Sequence, residues 1–216
     1  MRIFLFSQSI LLPIIAGLIR WRRIDKAYQP FFILLIIGFL TELISFILIR
    51  EFHKSNAIPT NLYTPIEWSL IFLQFHVWGL LRHRKRIFYG ILAITLLGWA
   101  VENIYFGQIT AFSPYFRIFY SFFIVLLSVN KINYMITHDN RNLFRNPRFL
   151  ICIGFIIFFM YMIIYRWAYQ VSVSSKSETQ ITDIIIFLMA YVNALTNGIF
   201  AIAFLLIPAR LKFKLE

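Results

Sequence analysis

Residues 31–49 read Phe-Phe-Ile-Leu-Leu-Ile-Ile-Gly-Phe-Leu-Thr-Glu-Leu-Ile-Ser-Phe-Ile-Leu-Ile, and Glu42 is the one ionisable group among them. A helix rises 1.5 Å per residue, so a run of this length matches the roughly 30 Å hydrocarbon core of a bilayer. A water-facing amphipathic helix would keep a whole charged or polar side, and this run carries a single ionisable group. It reads as a membrane span.

Working outward, Ile87 to Val101 and Phe149 to Tyr165 repeat the pattern. The whole chain is 60% hydrophobic, 19% aromatic and 14% charged. A soluble domain averages about 25% charged residues, so too little polar surface remains here to meet water. Apolar runs between charged or turn-rich breaks predict helices near residues 3–19, 31–50, 60–81, 87–105, 113–134, 149–168 and 183–208. The expected fold is therefore all-α, a polytopic membrane protein forming one seven-helix transmembrane domain over residues 1–216.

Lys and Arg give an independent test, because cytoplasmic connections carry their excess. The first connection holds Arg20, Arg22, Arg23 and Lys26, the third Arg82, Arg84, Lys85 and Arg86, and the fifth Lys131, Arg141, Arg145 and Arg148. Arg210, Lys212 and Lys214 follow in the tail, so one side carries 15 of the 21 basic residues. The other side carries Arg2, Arg50, Lys54, Arg166 and Lys176, and Arg117 remains inside the fifth run. This alternation predicts an N-terminus outside and a C-terminus in the cytoplasm. Arg2 before an apolar stretch resembles a signal sequence, but no small-x-small cleavage site follows, and Arg20, Arg22 and Arg23 come next as a stop-transfer cluster would.

Trp21, Trp78 and Trp167 fall near predicted helix ends, where amphipathic rings favour the headgroup zone. Gln170 to Thr182, Ser-rich and polar, reads as an outer loop or lid. Cys152 is the only cysteine, so no disulfide joins this chain to itself and no disulfide-linked partner is expected. The net charge of +12 sits between apolar runs rather than on one soluble face, which argues against nucleic acid. The lipid bilayer is the expected partner of the basic loops, and a cytoplasmic or membrane protein is a further possible one. No Asn-x-Ser/Thr acceptor occurs, in keeping with a prokaryotic cytoplasmic (inner) membrane.

Ionisable groups at membrane depth are costly and mark sites or helix-joining contacts. Glu42 lies about 12 Å from the outer end of its span at 1.5 Å per residue, too deep to snorkel easily. It must pair with a cation, accept several hydrogen bonds or hold a proton. Glu67 has two readings. Thr64-Pro65-Ile66-Glu67 matches a capping box that would start the third helix near Thr64 and leave Glu67 at its outer end. A start near Thr60 instead puts Tyr63, Glu67 and Gln74 on one stripe. Glu102 approaches the outer end of the fourth helix, as a solvated terminal group or a pocket member. Arg117 can snorkel outward or turn towards Glu42, Glu67 or Glu102. Asn193 and Asn197 share one face of the seventh helix with Ala190, Ala194 and Gly198, which suits close packing or a site. Asp183 follows Thr182 as a helix-start residue.

These polar groups gather in the outer half, so a pocket built from Glu42, Glu67, Tyr63, Glu102, Arg117, Asn193 and Asn197 would open outward. The expected function is binding or sensing of a small polar or cationic ligand. Alternatives are proton- or cation-coupled transport through Glu42, a lipid-modifying enzyme with paired carboxylates, and a structural role in a larger membrane complex. Seven spans in this orientation invite comparison with microbial rhodopsins, but residues 183–208 contain no Lys for a Schiff base, so retinal is not expected. His and Cys show no metal-ligand spacing, and neither a metal nor another cofactor is expected.

Overall fold

The computed structural model describes residues 8–21, 24–81, 84–111, 114–138, 142–175 and 180–207. Seven α-helices follow one another among them: α1 (Leu11–Ile19), α2 (Gln29–Arg50), α3 (Ala57–Val77), α4 (Lys85–Ala100), α5 (Tyr115–His138), α6 (Pro147–Ser175) and α7 (Gln180–Leu206). A 3-10 turn, Gln8–Ile10, leads into α1, and α4 continues as a π-helical turn, Val101–Tyr105. Residues 3–7 of the expected first span and the end of the seventh at 208 lie outside the described residues.

Five of these stretches are long and apolar enough to cross a membrane: Lys26–Arg50, Lys85–Tyr105, Tyr115–His138, Pro147–Ala168 and Phe187–Leu206. Only 22% to 39% of each apolar window is buried within the protein. Leu40, Ile44 and Ile47 of α2, for example, are all exposed. That much outward apolar surface needs lipid rather than water around it. The chain is an integral membrane protein.

Length does not keep α3 out of that set; its inward face does. Asn61, Thr64, Glu67 and Gln74 are all buried there, so the protein rather than the bilayer receives the polar side of this helix. Its start corrects the capping-box reading. Helix α3 begins at Ala57, which leaves Pro65 in its interior. Pro65 has no N–H for the Asn61 carbonyl one turn before it. The Thr64 hydroxyl donates to that carbonyl at 2.7 Å and the Trp99 indole at 3.0 Å, so the orphaned acceptor is satisfied. The Asn61 amide in turn donates to the carbonyls of Ile109 and Ala111, tying the α4–α5 connection to the first turns of α3.

Two further expectations are corrected. Much of the supposed outer loop at Gln170 to Thr182 is helical, since α6 runs to Ser175 and α7 starts at Gln180. The backbone of Asp183 lies within the first turn of α7, where a helix-start residue stands. Trp78 is buried against Tyr28 and Phe75 instead of facing headgroups, whereas Trp21 and Trp167 are exposed.

Helices α1, α2, α3, α5, α6 and α7 close a ring by successive contact, and α4 leans on α3 from outside it. One end of the ring is bound by polar contacts to helix termini. Pro30 leaves the start of α2 without one N–H, and the next, from Phe31, is taken by the Gln74 side-chain oxygen at 2.9 Å. The Gln74 amide also donates to the Ala27 carbonyl. Arg20 donates to the Phe204 and Leu205 carbonyls that end α7, and Lys131 donates to the Trp78 carbonyl after α3. Above this end, Phe31 stacks on Phe204 and meets Phe155 and Phe200 edge-on, with centroids 4.9 to 5.6 Å apart. This aromatic cluster fills the ring, and the other half of the ring is open.

Candidate functional site

Small and polar residues recur along α2 at Gly38, Thr41, Glu42 and Ser45, each three or four positions from two of the others, which places them on one face. Asn56, just before α3, and Thr60, Tyr63 and Glu67 within it answer at the same periodicity. These two faces, Arg117 of α5, Phe158, Met162 and Tyr165 of α6, and Asn193 of α7 enclose a cavity of about 310 Å³. Such a volume lies at the small end of the range for ligand pockets, roughly 300–1,000 Å³. The Tyr63 hydroxyl leans over Gly38, where an added Cβ would stand 3.1 Å from it. Glycine is what lets the ring come that close to α2.

Beneath the open volume lies a buried charge cluster. Glu67 is 5% exposed and Arg117 7%, and an amino nitrogen of Arg117 stands 3.8 Å from Glu67 Oε2. The Tyr120 hydroxyl, three residues along α5 and fully buried, donates to the same carboxylate oxygen. Tyr63 stands beside Glu67 on α3, and a second buried guanidinium, Arg166, lies within electrostatic range of Arg117, Tyr120 and Glu67. At 3.8 Å the Glu67–Arg117 contact is an ion pair but exceeds the 2.7–3.2 Å typical of an N–H···O hydrogen bond. Arg117 Nε is buried with no hydrogen-bond partner.

Glu42 differs from Glu67. It makes no hydrogen bond and no ion pair within 4.0 Å among the described residues, although Arg117 is within electrostatic range of it. Protein atoms crowd it, yet its side chain keeps accessible surface, as befits a group in the wall of an open cavity. Arg117 therefore turns inward, and of the three carboxylates weighed for it Glu67 is the one in ion-pair contact.

Below Glu67 the space narrows to about 70 Å³, sharing Tyr63, Glu67 and Asn193 with the larger cavity and ending on Phe155, Phe159 and Phe200. Asn197 lines this lower part, and its amide donates to Asn193 Oδ1 at 3.1 Å and to Ser9 at 2.9 Å. Asn197 thus positions Asn193 and joins α7 to the turn before α1.

Glu102 belongs elsewhere, which corrects the expectation of one shared pocket. Its two carboxylate oxygens accept the Tyr115 and Phe116 N–H groups at 3.0 and 2.6 Å, so it caps the start of α5 from the π-helical turn after α4. That is the arrangement a helix N-terminus favours for a negative charge. It borders a larger groove of about 780 Å³ between α4 and α5, lined by residues such as Ile94, Val101, Phe106 and Phe119. Despite its size, this groove offers apolar walls and a carboxylate already engaged. The smaller cavity holds the unengaged chemistry.

Tyr120, Tyr165, Thr41 and Thr60 are site residues that the sequence reading missed. Tyr120 follows Arg117 at one-turn spacing, and a search for polar partners on the Arg117 face would have found it. Among the described residues no three His, Cys, Asp or Glu side chains gather as around a metal ion. No protein-family model, curated protein or solved structure matches this chain.

Proposed function

We propose that this protein binds a small polar ligand in the cavity between α2, α3, α5, α6 and α7, entered from outside the cell. The carrying observation is Glu42: a carboxylate without hydrogen bond or ion pair among the described residues, on the wall of a 310 Å³ cavity whose deeper charges are already grouped. Ionisable groups at membrane depth face a protein interior or a water-filled cavity and mark ligand or ion sites, so an unengaged carboxylate on an open cavity favours a ligand over a packing role.

The same reading includes seven spans, an outer N-terminus and a cytoplasmic C-terminus in a prokaryotic inner membrane. Its support is the grouping of basic residues. Arg20, Lys131 and Arg148 belong to the end of the ring packed with aromatics, and the cavity lies towards the other end. Cytoplasmic connections carry such excess positive charge, so the cavity side is the outer side. The role is binding or sensing, with a cytoplasmic or membrane protein receiving the signal. The aromatic floor of Phe155, Phe159 and Phe200 favours this over passage through the bundle to the inner side.

Thermal unfolding of purified protein in lipid nanodiscs tests the proposal, using pooled small polar compounds as probes. At least one pool is expected to raise the unfolding temperature of the wild type and to leave Glu42→Gln unchanged. Equal stabilisation of both proteins, or none of either, contradicts it.

A further inference from the structure

The cavity opposes two kinds of charge. Glu42 offers an unengaged carboxylate on the α2 wall, and Arg117 offers a guanidinium on the α5 wall. Guanidinium carries five N–H donors in a planar fork suited to a carboxylate. The internal partners of Arg117 leave that fork under-used. Glu67 stands 3.8 Å away, its Oε2 already accepts the Tyr120 hydroxyl, and Arg117 Nε has no acceptor although the side chain is more than nine-tenths buried. The Tyr120 phenol also lies against the guanidinium, but it brings no full negative charge. A buried donor short of acceptors is costly, and a ligand anion would relieve that cost.

Charge balance narrows the ligand further. Glu42, Glu67, Arg117 and Arg166 sum to zero when all are ionised, so an amine or an acid alone would leave a net charge beside the buried Glu67–Arg117 pair. A molecule carrying both charges leaves none. Tyr63 and Tyr165 add aromatic surface to the same walls, which suits an ammonium group.

We infer that the ligand is a small zwitterion of the amino-acid or betaine type, its ammonium group held by Glu42 and its carboxylate by Arg117. This rests on the cavity being a binding site, as proposed above, and adds the chemical class. One ligand thus bridges the α2 and α5 walls of the cavity.

The test uses matched probes on the full chain in nanodiscs, with affinity read from ligand-dependent unfolding temperature. Leucine, γ-aminobutyrate and glycine betaine represent zwitterions of different charge separation. Isopentylamine and isocaproate are leucine without its carboxylate and without its amine. At least one zwitterion is expected to bind, with the single-charge analogues or the Glu42→Gln variant weaker by roughly 30-fold, the loss that follows truncation of one partner in a buried charge contact. Arg117→Lys, which retains the charge and loses the fork, is expected to weaken the zwitterion and leave isopentylamine unaffected. Isopentylamine or isocaproate binding as tightly as the best zwitterion overturns the inference and leaves the cavity a binding site. So does binding confined to uncharged polar compounds. Failure of every compound, the pooled set included, overturns both.

Discussion

Glu67 Oε2 and an Arg117 amino nitrogen lie 3.8 Å apart, with both side chains more than nine-tenths buried, and this pair joins α3 to α5 at the floor of the polar cavity. Tyr63 on α3 and Tyr120 on α5 support the pair from within each helix, but only the opposite charge lies across the gap. Each depends on the other, and Tyr120 shares the carboxylate.

Removing one partner of such a pair strands a buried charge, which costs about 3–5 kcal/mol. Glu67→Ala is therefore expected to lower the unfolding temperature sharply. Glu67→Ala combined with Arg117→Met should recover part of the loss, because contacting residues are not additive. Additive losses in a thermal-unfolding double-mutant cycle would mean that the two side chains act independently.

Gln74 holds the start of α2 through the Phe31 N–H and the Ala27 carbonyl. Gln74→Leu takes the partner from a buried N–H and a part-buried carbonyl, at about 1–3 kcal/mol. The expected outcome is a lower unfolding temperature with ligand affinity unchanged, since Gln74 stands below the aromatic floor. Wild-type stability in this variant would show that another group replaces the amide.

Glu102 acts on α5 rather than on the cavity. Glu102→Ala removes the acceptor for the Tyr115 and Phe116 N–H groups, and losing a helix cap costs roughly 0.5–2 kcal/mol. Stability should fall and probe binding should not. A selective loss of binding at unchanged stability would return Glu102 to the site.

Gly154 marks the close approach of α6 and α7. A Cβ there would stand 2.3 Å from the Phe200 ring, so Gly154→Ala must push that ring or part the helices. Overpacking of this kind costs about 1–3 kcal/mol. Gly198→Ala, where an added Cβ meets nothing within 4 Å, is the matched control and should be close to neutral.

How far the sequence could be read depended on which environment each residue answers to. Residues 31–49 and 149–165 meet lipid along much of their length, and lipid demands continuous apolar character, so α2 and α6 were legible from composition. Helix α3 was harder, because its polar residues answer to the protein interior. Thr64-Pro65-Ile66-Glu67 has the local chemistry of a helix start, yet the helix begins at Ala57, because Thr64 and Trp99 satisfy the carbonyl that Pro65 leaves free. Trp99 reaches it from another helix, and no local motif records that contact. The inward turn of Arg117 was foreseen as one of two options, while its choice of Glu67 over Glu42 and Glu102 depends on how α3 and α5 are placed. The sequence places Glu102 near the end of the fourth helix, but its partners are the N–H groups of a helix that begins beyond a connection, and no local pattern names them.

The central claim is that Glu42 faces a cavity open to the outside, and cysteine accessibility in intact cells tests it most directly. Cys152 is fully buried and is replaced by Ala to give a background without thiols. Glu42→Cys is then compared with Phe52→Cys in the α2–α3 connection and Phe144→Cys in the α5–α6 connection, both exposed positions. A small membrane-impermeant thiol reagent added outside is predicted to label Phe52→Cys and Glu42→Cys and to spare Phe144→Cys until the cells are opened. Labelling of Phe144→Cys but not Phe52→Cys in intact cells would contradict the orientation, and an unreactive Glu42→Cys beside a reactive Phe52→Cys would contradict the open cavity.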